Sequence, residues 1–454
     1  MNIRILVTTV FLLLFGLSML AQEDNQFCGS IAPSEAWENE LQRLISENKT
    51  NQKNIGEFSN NYVIPVVFHV IHGGEPIGTF PNILPGQIHS QMTILNQDFS
   101  GNSYNSSNYP LNAFVNWAVN QNIPKANLDE NGRIKIADFG IQFCLATKDP
   151  SGNVLPEPGI NRINYLAESL PGPSNYSTQT TMKTYLDKIL KPQTIWDVTK
   201  YLNVWITDKN TALTHSGVSS GPPLSGIMDL PNNATDSTDG IWCFTRVIGS
   251  YALFPGGSYI SQFIDGRTLT HEVGHYLGLR HIWGETDCGN DFCNDTPPAA
   301  GSNTGTPTYP HEAGSCASPS NNPDGEMFMN FMDYTRGSNK YMFTTDQKTR
   351  AHTAMQNSPF RNRLGTHDLC SATTGINYET LKNNISIYPN PANSIIHIHN
   401  LQNTMDKILI KNLMGQVLIQ TEGNCIDVSN LTNGIYLLTI KQGQNIHALK
   451  FIKE

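Results

Sequence analysis

The run His-Glu-Val-Gly-His-Tyr-Leu-Gly-Leu-Arg-His, from His271 to His281, constrains this chain more than any other stretch. On a helix, His271 and His275 are four residues apart and project from one face, so two imidazole nitrogens can converge on one metal ion. A catalytic zinc site takes three protein ligands and keeps one open position. His281 supplies the third imidazole once Gly278 lets the backbone swing out of the helix. Glu272, next to the first ligand, is placed to deprotonate a metal-bound water. The opposite side of this helix must be apolar, and Leu269, Val273 and Leu277, at four-residue steps, provide that side. The spacing therefore predicts a core helix with one functional face, starting near Arg267.

The chain has 454 residues, 39% of them hydrophobic, which is enough for two to three globular domains. Its net charge of -9 argues against a general nucleic-acid partner and leaves carboxylates over for cations. The start, Met1 to Gln22, has one early cation at Arg4, an apolar run from Ile5 to Leu20 and a small residue at Ala21. That pattern is a secretory signal peptide, expected over residues 1–21 and removed on export. The run is short for a spanning helix and nothing comparable follows, so no stable membrane span is expected afterwards. Export permits disulfides among the eight cysteines. Setting aside Cys28 and Cys425 leaves six, compatible with three bridges in fifteen connectivities.

Residues 22–59 are polar, with a helix-like stretch around Ala36 to Ser46 carrying Trp37, Leu41 and Leu44, and read as a propeptide. At Val63 to Ile71 the sequence turns β-branched and apolar, as a central strand does. A helix is expected after Pro85 with Ile88, Met92 and Leu95 on one face, and strands at Ile141 to Ala146 and Leu202 to Thr207. Strand and helix alternate, so residues 60–366 are expected to form an α/β (α+β) catalytic domain. From Gly284 to Pro323, turn-forming residues predict an irregular loop region. A linker at 367–384 precedes a tail, 385–454, of short β-type runs: Ile385 to Tyr388, Ser394 to Ile398, Lys407 to Lys411, Ile435 to Ile440 and Ala448 to Ile452. The tail reads as a small all-β sandwich.

A metal-polarised carbonyl gains negative charge in its transition state, so a hydroxyl should stand opposite the general base. Tyr334 is the candidate, in Met-Asn-Phe-Met-Asp-Tyr from Met329 to Tyr334, where Met332 could floor the three imidazoles. His271 to His281 resembles the extended zinc motif of the metzincins, and Asn330 to Tyr334 resembles their Met-turn in the form used by the pappalysin family of metalloendopeptidases. The likeness extends to Leu269-Thr270 and to the Asp295-Thr296-Pro297 loop. It implies a metzincin-like zincin fold of two subdomains around a zinc cleft, with His271, His275 and His281 as zinc ligands and Glu272 as general base and acid. Met332 would be the Met-turn residue, and Tyr334 would stabilise the transition state.

The same resemblance implies calcium in the loop after the third histidine, where Asp291, Asp295, Thr296 and the Cys293 carbonyl offer hard oxygen ligands. It also implies a disulfide tying that loop, with Cys288 to Cys316 as first choice and Cys293 as a competitor. There is one departure. Relatives that cleave beside Arg or Lys carry acids just after the Met-turn tyrosine, whereas here the segment is Thr335-Arg336-Gly337-Ser338-Asn339-Lys340. Preference for a basic residue after the scissile bond is not expected.

Phe27-Cys28-Gly29 resembles the propeptide cysteine that holds some zymogens latent by placing a thiolate on zinc. An ordinary disulfide at Cys28 is the competing expectation. The tail resembles the sorting domain of the type IX secretion system through Tyr388-Pro389-Asn390-Pro391, Asn412-Leu413-Met414-Gly415-Gln416, Gly434-Ile435-Tyr436 and Lys450-Phe451-Ile452-Lys453. A carbohydrate- or protein-binding β-module is the alternative for that tail. The chain is thus expected to be a secreted zinc endopeptidase acting on protein or peptide substrates and meeting the type IX secretion machinery. The rivals are a catalytically silent metal-binding adhesin or binding protein exported by the same route, and a hydrolase of something other than peptides.

Overall fold

The computed structural model describes residues 28–30, 33–52, 62–224, 234–316, 322–370, 386–389, 391–399, 407–412, 416–442 and 445–454. The expected signal segment lies outside the described residues, as do Phe27, Asn390, the Leu413 to Gly415 part of the tail motif and all but four residues of the linker.

Helix α1 spans Glu35–Gln52 and precedes strand β1, Tyr62–His72. β1 is buried from Ile64 to Ile71, because it lies in the middle of a sheet. Helix α2 (Pro85–Phe99) and the short α3 (Val115–Asn120) lead to strands β2 (Ile141–Leu145) and β3 (Ile160–Asn164), which pair in succession along one edge of β1. Two short helices, α4 (Gln179–Tyr185) and α5 (Lys191–Thr194), precede β4 (Leu202–Thr207), which is parallel to the other edge of β1. Beyond β4 come β6 (Ile241–Phe244), also parallel, and finally β5 (Gly217–Ser219), which runs antiparallel to β6. The short β5 is therefore a sheet margin, a row of backbone groups on which another extended segment can pair.

Helix α6 is Arg267–Tyr276, and α2 fixes where it begins. Gln91 Nε2 donates to the Gly266 carbonyl at 2.9 Å, and buried Asp98 pairs with Arg267 and accepts the Thr270 hydroxyl at 2.7 Å. Ile88, Met92 and Leu95 fill the core beneath, together with Leu269, Val273 and Leu277 of the α6 segment. After α6 the chain is irregular until α7, Thr345–Asn357, which opens with a Thr344–Gln347 capping box. The fold is a mixed α/β body in which α6 separates the sheet from an irregular half.

The tail adds β7 (Ser386–Tyr388), β8 (Ile395–His399), β9 (Lys407–Lys411), β10 (Val417–Thr421), β11 (Cys425–Asp427), β12 (Gly434–Gln442) and β13 (Asn445–Lys453). They form a four-stranded and a three-stranded sheet around a core that includes Ile396, Ile410, Leu438 and Phe451.

Just past residue 366 the chain stays tied to the first body: Cys370 is disulfide-bonded to Cys144, and Thr147 N donates to the Leu369 carbonyl at 2.8 Å. Of three possible bridges among the six inner cysteines, two form, the second being Cys288–Cys316. Cys243 and Cys293 are buried free thiols, Cys243 inside β6. Among the described residues no helix is long and apolar enough to cross a membrane.

Candidate active site

Two glycines shape the site. Gly266 caps α6 in a left-handed conformation (φ 72°), and Gly278 ends it in another (φ 92°), which an L side chain would resist. Leu279 N returns to the Gly274 carbonyl at 3.0 Å, and the turn delivers His281 to the face already occupied by His271 and His275. The three Nε2 atoms then lie 3.1, 3.1 and 3.2 Å apart.

Each ring is oriented through its other nitrogen. His271 Nδ1 donates to the Phe331 carbonyl at 2.8 Å, His275 Nδ1 to the Leu279 carbonyl at 2.9 Å, and His281 Nδ1 to Glu285 Oε2 at 2.5 Å. With all three Nδ1 protons committed, the three Nε2 atoms are bare lone pairs aimed at one point. Lone pairs cannot bond to one another, so this arrangement suits a shared cation, and ring orientation by such outer partners is how metal-binding histidines are held. Burial, then the neighbouring imidazoles, drives His271 well below the usual range and His275 down to about 3, which keeps the rings in the neutral, ligating form. On Glu285, the upward push of burial is outweighed by His281 and His275, leaving its carboxyl at about 2. Glu285 was not anticipated, although an acid four residues after the third histidine was the available signal.

Glu272 sits beside this cluster, fully buried, its carboxyl pushed up to about 7 chiefly by burial. Its Oε2 accepts the Ser30 hydroxyl at 2.9 Å, while Oε1 is buried with no hydrogen-bond partner. β5 crosses directly over it: a Cβ at Gly217 would lie 2.6 Å from Glu272 Oε1. Only glycine allows the sheet margin this close.

The segment after the irregular loop closes the site from below. Asn330 exchanges side-chain hydrogen bonds with Gln347 (2.9 and 3.1 Å) and its Oδ1 accepts Met332 N at 2.9 Å, which fixes the turn. Met332 is buried, its sulfur packed so tightly on Gly274 that a Cβ there would overlap Sδ. Tyr334 stands half-buried with its ring centroid 5.6 Å from His271, 5.0 Å from His281 and 4.9 Å from Trp283. Trp283 in turn stacks on His281 at 4.3 Å. Burial, then the nearby Cys28 and Glu272, raises the Tyr334 phenol far above its ordinary range, so it remains a proton donor.

Cys28 is brought to the same place. Its sulfur and one nitrogen from each of the three histidines all lie within 4.8 Å of one another, and among the described residues no other such group of His, Cys, Asp or Glu exists. Residues 28–30 pair with β5 in the parallel sense: Gly29 N donates to the Gly217 carbonyl at 2.9 Å, and Ser219 N to Ser30 Oγ at 2.8 Å. Beyond them α1 docks on α7. Glu38 is buried and grips Arg350 through both carboxylate oxygens (2.5 and 2.7 Å) and Arg280 at 3.0 Å, while Trp37 Nε1 donates to the Pro222 carbonyl at 2.7 Å. Neither this clamp nor β5 was expected from sequence; an acid directly after Trp37 on an apolar helix face was the faint signal.

The remaining candidates gather in the loop after His281. Asp291 accepts the Thr296 hydroxyl (2.9 and 2.8 Å) and Cys293 N (3.0 Å), and Thr296 Oγ1 also reaches the Cys293 carbonyl. Asp295 Oδ2 accepts Asn127 Nδ2 and Asp346 N, whereas its Oδ1 is buried without a partner. Burial first, then acidic neighbours, pushes both carboxyls up to about 7. Cys288 and Cys316 close the loop with their disulfide.

Comparison with known proteins gives the following. Residues 184–356 match the Peptidase_M43 family model, described as pregnancy-associated plasma protein-A, and residues 386–454 match the secretion system C-terminal sorting domain. An extracellular metalloprotease of Colletotrichum graminicola is 36% identical over 138 residues, 29% of this chain and 45% of that protein. One of Pyricularia oryzae is 33% identical over 229 residues, 50% of this chain and 65% of that protein. The chain thus spans about half the length of the curated relatives it matches. Among solved structures, mature mirolysin of Tannerella forsythia, in complex with a cleaved peptide, is 30% identical with a TM-score of 0.50, covering 68% of this chain and 99% of that one. A promirolysin mutant is 28% identical with a TM-score of 0.50, covering 75% of this chain and 97% of that one.

Proposed function

We propose, from the premise that this chain belongs to the Peptidase_M43 (pappalysin) family of metalloproteases, that it is a zinc endopeptidase made as a latent precursor and exported through its C-terminal sorting domain. The observation that carries the reading is the trio of deprotonated Nε2 atoms beside a buried Glu272. A binding protein needs the histidines but has no use for that carboxylate.

His271, His275 and His281 would hold the zinc. When bound there, zinc supplies a Lewis acid that polarises the scissile carbonyl and acidifies water. The chain's own groups do the rest. Glu272 Oε1, unpartnered and held where its affinity for a proton is raised, takes a proton from the attacking water and returns it to the leaving amine. Tyr334, kept protonated, donates a hydrogen bond to the carbonyl oxygen as negative charge develops on it. No covalent acyl-enzyme is required.

Calcium is the second proposed cation, taken by Asp291, Asp295 Oδ1, Thr296 and the Cys293 carbonyl. The supporting observation is buried, imperfectly compensated carboxylate charge with one orphaned oxygen. Casein cleavage should be abolished by o-phenanthroline and restored by zinc, whereas EGTA should lower the melting temperature of the zinc-loaded protein. Persistence of cleavage after zinc removal would sink the catalytic reading; an EGTA-insensitive transition would sink the calcium one.

The domain division proposed is a signal peptide at 1–21, a propeptide at 22–59, a catalytic domain at 60–366, a linker at 367–384 whose start is tied back by Cys370, and a sorting domain at 385–454, with peptide substrates and the secretion machinery as partners and no nucleic acid. In the precursor Cys28 fills the position where water must stand, delivered by the β5 pairing. Cys28→Ala should shorten the lag before activity appears during production, seen as early casein cleavage or self-degradation. An unchanged lag would show that the thiol does not hold the enzyme latent.

A further inference from the structure

A pocket opens beside the reacting groups, running from His271 and Glu272 past Tyr334 to the segment that follows it. Its charged walls are Asp265 and Arg267 from the start of α6, and Arg336 and Lys340 from the segment after Tyr334. The backbone of that segment is pressed on the helix start: a Cβ at Gly337 would lie 2.6 Å from Asp265 Cβ and 3.0 Å from Arg267 Cγ. A side chain of a substrate bound at the metal site would enter here, flanking the scissile bond.

The charges in this pocket are unequally satisfied. Arg267 is spent on buried Asp98. Asp265 accepts the Tyr104 hydroxyl at 2.9 Å and stands with Arg267 about the same tyrosine, whose ring lies 4.8 Å from the Arg267 guanidinium. Lys340 differs: it is 6% exposed, its Nζ donates to the Asp333 carbonyl at 3.0 Å, and the buried Asp333 carboxylate favours its charge without forming a salt bridge. Arg336 is exposed at the rim, and among the described residues neither it nor Lys340 forms a salt bridge with a carboxylate. An ammonium in the wall and a guanidinium at the mouth form a two-point receptor for a carboxylate, the guanidinium capable of bidentate contact.

We propose that this pocket selects an acidic side chain, Asp or Glu, at one of the two substrate positions flanking the scissile bond, with Lys340 and Arg336 as the specificity-determining residues. A basic side chain would meet Lys340 and Arg336, and apart from Glu272 the carboxylate in the wall is Asp265, which already holds the Tyr104 hydroxyl, so a basic side chain is disfavoured relative to an acidic one. The inference rests on the endopeptidase reading above and names the substrate class of that same site.

The test is cleavage of a proteome-derived peptide library by the secreted, processed, zinc-loaded protein, read by mass spectrometry at both flanking positions. Asp and Glu should be enriched over Lys and Arg by about tenfold at one of them. Arg336→Glu, a surface change that should not disturb folding, should lower the acidic-to-basic ratio by about tenfold, and Lys340→Met should lower it further. Abundant cleavage with basic or apolar residues at both positions would overturn the proposal and leave the endopeptidase reading standing. Absence of any cleavage by folded, zinc-loaded protein would overturn that reading, and the specificity with it.

Discussion

Glu272→Ala is expected to lower kcat on any cleaved peptide by about 10²- to 10⁴-fold, the range that a positioned general base contributes. KM should change little and the zinc content should stay at one ion per chain, because the ligand rings take their orientation from Phe331, Leu279 and Glu285 and not from Glu272. The site reports the same separation in its geometry. Glu272 holds the propeptide's Ser30 through Oε2 alone, while Oε1 is buried without a hydrogen-bond partner against the cost of burial, and none of the ligand rings is bonded to it. Kinetics on the processed variant, with metal analysis on the same sample, decide the matter. A variant keeping a tenth or more of the activity would assign the proton transfer to another group.

The parts of this site that could be read from sequence are those set by local geometry. Four-residue spacing puts His271 and His275 on one face whatever surrounds the helix, and Gly278 marks where the backbone turns toward His281. Strands β1 and β4 were equally legible, since long β-branched runs buried on both sides can be little else. What escaped notice depends on partners distant in sequence. β5 is Gly-Val-Ser, too short for any alternation and with Val218 alone favouring a strand, and it is a strand because β6 pairs with it. Glu285 reaches His281 from a residue with φ 69°, a backbone state that no local pattern announces. The Cys144–Cys370 bridge closes a separation of 226 residues, beyond anything spacing can indicate. The helix of the propeptide was legible as a helix, but its register was not wholly so: Trp37 and Leu41 are buried as the periodicity suggests, while the third buried apolar residue is Ile45, with Leu44 only half-buried.

That helix leads to the largest expected effect on stability. Glu38→Ala should destabilise the precursor by about 3–5 kcal/mol, the usual cost of removing one partner from a buried ion pair. The side chains of Glu38 and Arg350 are 2% and 1% exposed, so the alanine would leave the Arg350 guanidinium desolvated and without its counter-charge. The damage should spread toward the metal site, because Arg350 Nε also donates to the Gly278 carbonyl at 2.7 Å, in the turn that carries the chain to His281. The clamp has a definite pH dependence. Burial pushes the Glu38 carboxyl up, but Arg350, Gln42 and Arg280 outweigh it, and the result lies below the ordinary 4.5. A carboxyl lowered on folding stabilises fully above its unfolded value and loses that contribution as pH falls through the folded one. Precursor stability measured by denaturant unfolding should therefore fall on acidification below about 4.5 in the wild type and less steeply in Glu38→Ala. Once residues 22–59 are removed, the variant and the wild type are the same molecule, and their unfolding curves must coincide. A precursor unaffected by Glu38→Ala would mean that α1 is held by Trp37, Leu41 and Ile45 alone, and that the ion pair beneath it adds nothing to the docking.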